Sequence, residues 1–228
     1  MTMKNAKMMV WAVLIGLTSL STLKAQTALH PWGVSADANF KEYNGEYGNG
    51  ISRFLNPYIH PGVGVGYYLN NYFDANLSLN YGRVTHDPTP WIGTVNTFLE
   101  YKGLQATLSG RFKFNNGKML KEDAMLGPYI TAGLGFYTGK AYYPDGTTAK
   151  ARMFNLPVGI GCNVNVSPRW KIFVQTAYLP SFTDKFDGIE SGKRKDKLWE
   201  HKIGLTYNFG KGSEAAPAEE KAPEPTVK

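Results

Sequence analysis

Apolar and polar residues alternate along most of this chain with a period of two. In residues 199–209 every second position is apolar or aromatic, apart from His201, and the positions between them are polar or glycine. Because successive side chains of a strand point to opposite faces, this pattern predicts a β-strand with one apolar face. The strand is long enough to cross a bilayer when tilted, and aromatic residues at both ends mark the two interfaces.

The same alternation predicts seven further strands. They are expected at residues 32–43, 58–69, 72–82, 98–114, 128–139, 153–166 and 170–179. Closing them into a cylinder leaves no strand edge exposed to lipid. The expected fold is therefore all-β: an eight-stranded antiparallel up-and-down transmembrane β-barrel with a disordered C-terminal tail.

The connections between these strands alternate mostly between long and short. Long loops are predicted at 44–57, at 83–97, around 142–146 and at 180–198, and the turns at Asn70-Asn71 and Ser167-Pro168-Arg169 are short. Transmembrane barrels have short periplasmic turns and longer extracellular loops. We therefore expect the long loops outside the cell and both termini in the periplasm. The connection at 115–127 is the exception, since it is long for a periplasmic turn.

The upper half of the fourth strand conflicts with a lipid-facing assignment. Glu100 and Lys102 fall on the parity that faces lipid further down the same strand. Two explanations are open: this half lies above the membrane, or it contains a β-bulge that shifts the register.

The opposite parity is polar and predicts a filled lumen. An eight-stranded barrel is just wide enough to be filled by its own side chains. Charges of both signs are expected there as a polar network, formed by Asp37, Asp74, Arg111, Lys113, Glu200 and Lys202. Because an unpaired buried charge is costly, these groups are expected to pair, which favours a plugged core over an open channel. Inward glycines are expected to relieve crowding and allow curvature; they are Gly62, Gly64, Gly66, Gly159 and Gly161.

The two ends of the chain differ in composition from the barrel. Residues 1–25 begin with Lys4 and Lys7 and continue into a short apolar run, which predicts a cleaved signal peptide. An anchor helix is the alternative, but the run is too short for one. Residues 26–210 are the predicted outer-membrane barrel. Residues 211–228 are rich in Pro, Ala and Glu and predict a disordered periplasmic tail, and whether this tail has a periplasmic partner is left open.

The charge and the reactive residues of the chain argue against nucleic-acid binding and against catalysis. The formal charge of +7 falls to +4 once the three leader lysines are removed. The single cysteine, Cys162, excludes an internal disulfide and a cysteine-based zinc site, and its parity predicts a lipid-facing thiol. His30, His60, His86 and His201 are interpreted as interfacial or loop residues. We therefore predict no catalytic, cofactor-binding or metal-binding residues.

A basic cluster in the fourth long loop has two readings. Lys193, Arg194, Lys195 and Lys197 either form a solvated loop or contact the phosphates of lipopolysaccharide.

The leader, the eight strands, the closing residues 203–210 and the proline-rich segment resemble OmpA-like outer-membrane proteins. That resemblance implies a porin-like barrel in the outer membrane of a Gram-negative bacterium. Members often continue into a peptidoglycan-binding domain, which this sequence does not show. The expected function is a non-enzymatic barrel that supports envelope structure and contacts outer-membrane lipid. The alternatives are a surface adhesin or ligand-binding barrel acting through its loops, a narrow low-conductance pore, and, with its faces inverted, a soluble ligand-carrying barrel.

Overall fold

The computed structural model describes residues 30–44, 59–86, 99–143, 146–182 and 197–211. These residues form nine antiparallel strands: β1 (Trp32–Asn44), β2 (His60–Tyr68), β3 (Phe73–His86), β4 (Leu99–Lys113), β5 (Leu126–Tyr142), β6 (Thr148–Asn155), β7 (Val158–Asn165), β8 (Trp170–Pro180) and β9 (Lys197–Phe209). Sequence neighbours pair around the sheet, and β9 pairs with β1. No helix among the described residues is long and apolar enough to cross a membrane.

β6 and β7 are two halves of one barrel strand. The second half of β5 pairs with β6 and its first half pairs with β7. The register is the same on both sides of the break, since Gly135 faces Asn155 and Ala132 faces Val158. The break falls at Pro157, which has no backbone N–H to donate to the ladder. The closed barrel therefore has eight strands, as the alternation predicts.

The outward face of the barrel carries an apolar band. Its exposed residues include Val63, Leu77, Leu108, Ile130, Leu134, Val158, Ile160, Val174 and Ile203. On β5 the apolar outward positions run from Leu126 to Phe136. At about 3.3 Å per residue this is about 33 Å along the strand, or about 25 Å along the membrane normal at the usual tilt. That height matches the hydrocarbon layer, and both faces follow the predicted parity.

Aromatic side chains mark the end of the barrel that holds the described chain ends, here called the terminal end. Trp32 contacts Tyr67 with ring centroids 4.6 Å apart, and Trp170 contacts Tyr207 at 4.8 Å, both pairs with tilted rings. Outward aromatic rings at this height are expected at a lipid–water interface. The opposite end, where β5 turns into β6, is called the loop end.

Towards the loop end the two faces exchange their polarity. The outward residues become charged; they are Arg83, Glu100, Lys102, Lys140, Lys150 and Arg152. The inward residues become apolar and are almost fully buried; they include Tyr101, Tyr137, Ala141, Ala151, Met153, Leu179 and Leu198. An apolar interior under a charged exterior is the pattern of a barrel wall in water. This part of the barrel therefore rises above the hydrocarbon layer.

The exchange of polarity decides between the two explanations for Glu100 and Lys102. β4 keeps one register with β3 from Leu99 to Phe112, and it keeps one register with β5 from Glu100 to Lys113. No residue is inserted, so the described β4 contains no bulge. The upper half of β4 lies above the hydrocarbon layer of the membrane instead.

Two predicted boundaries at the loop end are wrong. β3 continues to His86, four residues beyond its predicted end at Gly82. The third long loop is a short hairpin, since only residues 143–147 separate β5 from β6. Both errors have the same cause. The alternation of apolar and polar residues continues towards the loop end, but there the apolar residues face inward. A strand in this part therefore resembles a loop when apolar residues are expected on the outward face.

The connection at 115–127 is ordered and packs on the terminal end. The Asn116 amide donates to the Lys113 carbonyl at 2.9 Å, and its oxygen accepts from the backbone N–H groups of Lys118 and Met119 at 3.0 Å each. Asn165 donates its side-chain amide to the Ala124 carbonyl at 2.7 Å. These bonds hold a connection of this length against the barrel.

Several predicted features lie outside the described residues. These are the signal peptide at 1–25, most of the first, second and fourth long loops, and the tail from residue 212 onwards. Of the four cations proposed to contact lipopolysaccharide, Lys193, Arg194 and Lys195 also lie outside the described residues. Lys197 is the first residue of β9 and is exposed.

Candidate functional site

The lumen of the barrel holds all six polar residues predicted for it. The charged side chains that point inward from the described strands are Lys41, Arg111, Lys113, Lys171, Lys202, Asp37, Asp74 and Glu200. They form two clusters, one near the middle of the barrel and one towards the terminal end.

The middle cluster is centred on Glu200. Its carboxylate is 2% exposed and lies 2.9 Å from Lys202 Nζ and 3.8 Å from Lys41 Nζ. Asp37 accepts a hydrogen bond from the Asn80 amide at 2.9 Å, and Asn80 Oδ1 accepts one from Lys202 Nζ at 3.3 Å. β1 and β9 bring Lys41 and Glu200 directly opposite each other. Charges of opposite sign on β1 and β9 thus pair with one another, and Asn80 links them to β3.

The second cluster lies towards the terminal end. Lys113 Nζ lies 2.6 Å from Asp74 Oδ1 and 4.1 Å from the centroid of the Tyr68 ring. Arg111 packs its guanidinium 4.8 Å from the Tyr129 ring centroid, a cation–π contact. The Tyr129 hydroxyl donates to Gln175 Oε1 at 3.2 Å. These contacts link β3, β4, β5 and β8 across the lumen.

Some lumen residues were not singled out from the sequence, although strand parity identifies them. Lys171 lies between outward-facing Trp170 and Ile172 and is buried. Tyr137 is also buried, donates to Gln105 Oε1 at 2.8 Å, and has Lys41 Nζ 4.8 Å from its ring centroid. A strict reading of every second position would have found both.

Above the middle cluster an apolar group closes the lumen. Tyr101 and Tyr137 meet edge to face, with ring centroids 6.0 Å apart. Met153, Leu179 and Leu198 fill the remaining section, each with 0% exposure. A continuous water path through this part of the barrel would require these side chains to move.

Two small cavities lie within the polar part of the lumen. A cavity of about 20 Å³ lies beside Asp37, Arg111 and Glu200, and another of about 10 Å³ lies beside Asp74 and Lys171. Volumes of this size hold about one water molecule each. Neither of these two cavities has room for an organic ligand.

The family of the chain follows from its match to known proteins. A family model described as outer membrane protein beta-barrel domain matches residues 10–209. The chain belongs to this outer-membrane β-barrel family. Membership confirms the resemblance to OmpA-like barrels and assigns the chain to the Gram-negative outer membrane. None of the curated proteins compared with it is a match.

Solved structures of outer-membrane barrels are similar in fold. Neisserial surface protein A aligns with a TM-score of 0.54 and 16% identity over 78% of this chain and 97% of that chain. The N-terminal β-barrel domain of Pseudomonas aeruginosa OprF gives 0.47 and 18%, over 78% and 97%. The attachment invasion locus protein Ail of Yersinia pestis, solved with the heparin analogue sucrose octasulfate, gives 0.49 and 18%, over 79% and 99%.

Glycines in this outer-membrane barrel make room for the lumen network. A β-carbon on Gly62 would overlap the Asn80 amide and lie 2.6 Å from Asp37 Oδ1. On Gly66 it would meet nothing nearer than Asn76 Oδ1, at 3.4 Å, an ordinary contact.

We expect Gly62→Ala to destabilise the outer-membrane barrel by about 1–3 kcal/mol, because Asn80 must move away from Asp37. Gly66→Ala serves as the control on the same strand and face, with little expected change. Urea unfolding of the refolded proteins in lipid vesicles measures both. Equal stability of the two variants would show that close packing at Gly62 is not required.

The reactive side chains of this outer-membrane barrel are dispersed. His201 faces outward and lies 2.9 Å from Thr176 Oγ1, and His30 Nδ1 lies 2.9 Å from the Gly210 carbonyl. His60 differs from its interfacial prediction, since it is 1% exposed inside the barrel, where Gly82 leaves space for its ring. Cys162 is a free thiol on the outward parity of β7. Within the described ranges no group of three His, Cys, Asp or Glu residues is placed to hold a metal ion.

Proposed function

We propose that this protein is a structural, non-enzymatic and non-conducting component of the outer membrane. The observation that carries the proposal is the filled lumen, with paired charges at mid-height and the apolar group of Met153, Leu179 and Leu198 above them. A barrel filled in this way contributes a stable wall to the membrane. It then contacts other molecules through its outer surface and its loops.

The proposed orientation puts the terminal end in the periplasm and the loop end outside the cell. The outward charges near the loop end rise above the apolar band, as extracellular extensions of barrel strands do. The compact turns at Asn70-Asn71 and at 166–169 lie at the terminal end. With this orientation the chain beyond Phe209 emerges on the periplasmic side.

A planar bilayer tests the closed lumen. The refolded full chain is expected to give no discrete conductance steps in concentrated potassium chloride, because Leu179 and Leu198 close the lumen. The variant Leu179→Gly/Leu198→Gly, which removes both side chains, is expected to admit water and to show occasional brief openings. Discrete steps from the unmodified chain would identify a narrow pore and contradict the proposal.

The structural role is tested in cells. Deleting the gene is expected to increase entry of a hydrophobic dye through the outer membrane, and the full chain is expected to restore the barrier. An unchanged barrier combined with lost attachment to surfaces would favour the adhesin alternative. Hydrolysis of membrane lipid or peptide by the purified barrel would contradict a non-enzymatic role.

A further inference from the structure

A row of cations crosses the outer surface near the loop end. Arg83 on β3 is paired with Lys102 on β4, Lys102 with Lys140 on β5, and Lys140 with Lys150 on β6. Arg152 lies two residues along β6 from Lys150 and shares its outward parity. Directly paired residues of neighbouring strands have β-carbons about 5 Å apart, and like charges in such pairs repel. A row of four cations is therefore unfavourable unless something neutralises it.

The protein neutralises only one half of this row. The Glu100 carboxylate lies 2.8 Å from Arg83 Nε and 2.9 Å from Lys102 Nζ, so one anion serves two cations. Among the described residues no carboxylate forms an ion pair with Lys140, Lys150 or Arg152, all of which are exposed. Glu100 is also the only outward carboxylate on the described parts of β3 to β6. The half on β5 and β6 is left with its charge uncompensated.

The row lies at the height of lipid headgroups. Phe136 and Phe154, whose ring centroids are 4.6 Å apart, end the apolar band on β5 and β6. Lys140 is four residues beyond Phe136, which places it about 10 Å further along the membrane normal. Headgroups occupy the layer directly outside the hydrocarbon core. The ammonium groups of Lys140 and Lys150 can therefore reach headgroup phosphates from the side of the barrel.

The opposite side of the barrel has no comparable row. The described outward residues at the same end of β8, β1 and β9 are mostly aromatic, with one charge of each sign, Glu42 and Lys197. The rings of Tyr178 and Trp199 meet there at a tilt, with centroids 5.2 Å apart. Simple exposure to water explains a mixed surface like this one. It does not explain five cations and one carboxylate gathered on four neighbouring strands.

We propose that Arg83, Lys102, Lys140, Lys150 and Arg152 form a binding site for the phosphates of an outer-leaflet glycolipid, the lipopolysaccharide of the Gram-negative envelope. Arg and Lys bind phosphate oxygens through charge-assisted hydrogen bonds. The lipid chains lie along the apolar band below, so one molecule contacts both surfaces. This site is on the barrel wall, distinct from the loop at 193–197. It rests on the proposed orientation of the loop end towards the outer leaflet.

The double variant Lys140→Gln/Lys150→Gln tests the site. Native mass spectrometry of the refolded full chain in detergent, titrated with bisphosphorylated lipid A, measures affinity. Each basic residue near an anionic lipid surface contributes about fivefold in affinity, so the variant is expected to bind about 30-fold more weakly. The matched control Lys118→Gln/Lys121→Gln removes two exposed lysines at the terminal end, and unchanged binding is expected. Unboiled gel migration confirms that both variants are folded.

Four outcomes of this titration would overturn the proposal. They are equal loss of binding in both variants, no loss in either, equal binding of dephosphorylated lipid A, and saturation by inorganic pyrophosphate at the same concentration. The last would indicate a site for free phosphate. The detergent assay depends neither on orientation nor on conductance, so it fails separately from the proposed function. Lipopolysaccharide retained by protein extracted from outer membranes tests the orientation. Binding in detergent without retention from cells would place the row at the other leaflet and would also overturn the lipid assignment.

Discussion

Replacing Glu200 by leucine is expected to destabilise the folded barrel by about 3–5 kcal/mol, the usual cost of removing one partner from a buried ion pair. The Glu200 carboxylate is 2% exposed and is the anion nearest to both Lys202, at 2.9 Å, and Lys41, at 3.8 Å. Without it, two buried ammonium groups remain in the middle of the lumen. Asp37 is the only other carboxylate in that cluster. Urea unfolding in lipid vesicles, followed by the loss of fast migration on unheated gels, measures the change.

Three further variants separate charge from packing. Glu200→Gln keeps the shape and a hydrogen-bond acceptor and is expected to lose less stability. Glu200→Leu/Lys202→Met removes both partners and is expected to recover part of the loss, since a buried pair is often replaceable by apolar groups. Lys118→Gln, an exposed change at the terminal end, should have little effect. If Glu200→Leu cost no more than Lys118→Gln, the middle cluster would not stabilise the barrel.

The fold could be predicted from the sequence because lipid on the outside and the narrow lumen on the inside impose the same two-residue period. Lipid selects apolar residues at outward positions, and the narrow lumen selects polar residues and glycine between them. On β3 this contrast is strong, as in Leu77 against Asn76 and Ser78, and it fixes which face is outside. Short turns such as Asn70-Asn71 then fix the register of the two strands they join, which brings Asp74 on β3 opposite Tyr68 on β2.

The same dependence on the surrounding medium explains why the strand ends near the loop end could not be predicted. Above the hydrocarbon layer the outer environment is water, so the polarity of the two faces reverses while the period remains. Lys150 and Ala151 therefore fall before the predicted start of the sixth strand at residue 153, although they lie in β6 with Lys150 outside and Ala151 buried. Individual partners in the lumen also escaped prediction. Asp74 is paired in register with Arg111 but bonds Lys113 at 2.6 Å, while the Arg111 guanidinium packs on the Tyr129 ring.

Introducing arginine at Ala132 is expected to destabilise the barrel by about 2–4 kcal/mol, the cost of a cation at the bilayer midplane. Ala132 lies on the outward face of β5 between Leu126 and Phe136, the two ends of the apolar band. Its cross-strand partners are Gly110 and Val158, so no acidic side chain is paired with the new guanidinium. Unfolding in vesicles of defined thickness measures the loss.

Two controls relate this loss to the position of the membrane. Ala132→Leu tests size without charge and should leave stability unchanged or slightly higher. Thr148→Arg places the same cation on the outward face beyond Lys150, where a cost of about 0–1 kcal/mol is expected near the interface. Because both arginine variants add one identical charge, their difference reports depth alone. A similar loss at Thr148 and Ala132 would mean that the hydrocarbon layer extends over the cation row. Lys140 and Lys150 would then lie too deep to meet headgroup phosphates, and the charged outward surface would need another explanation.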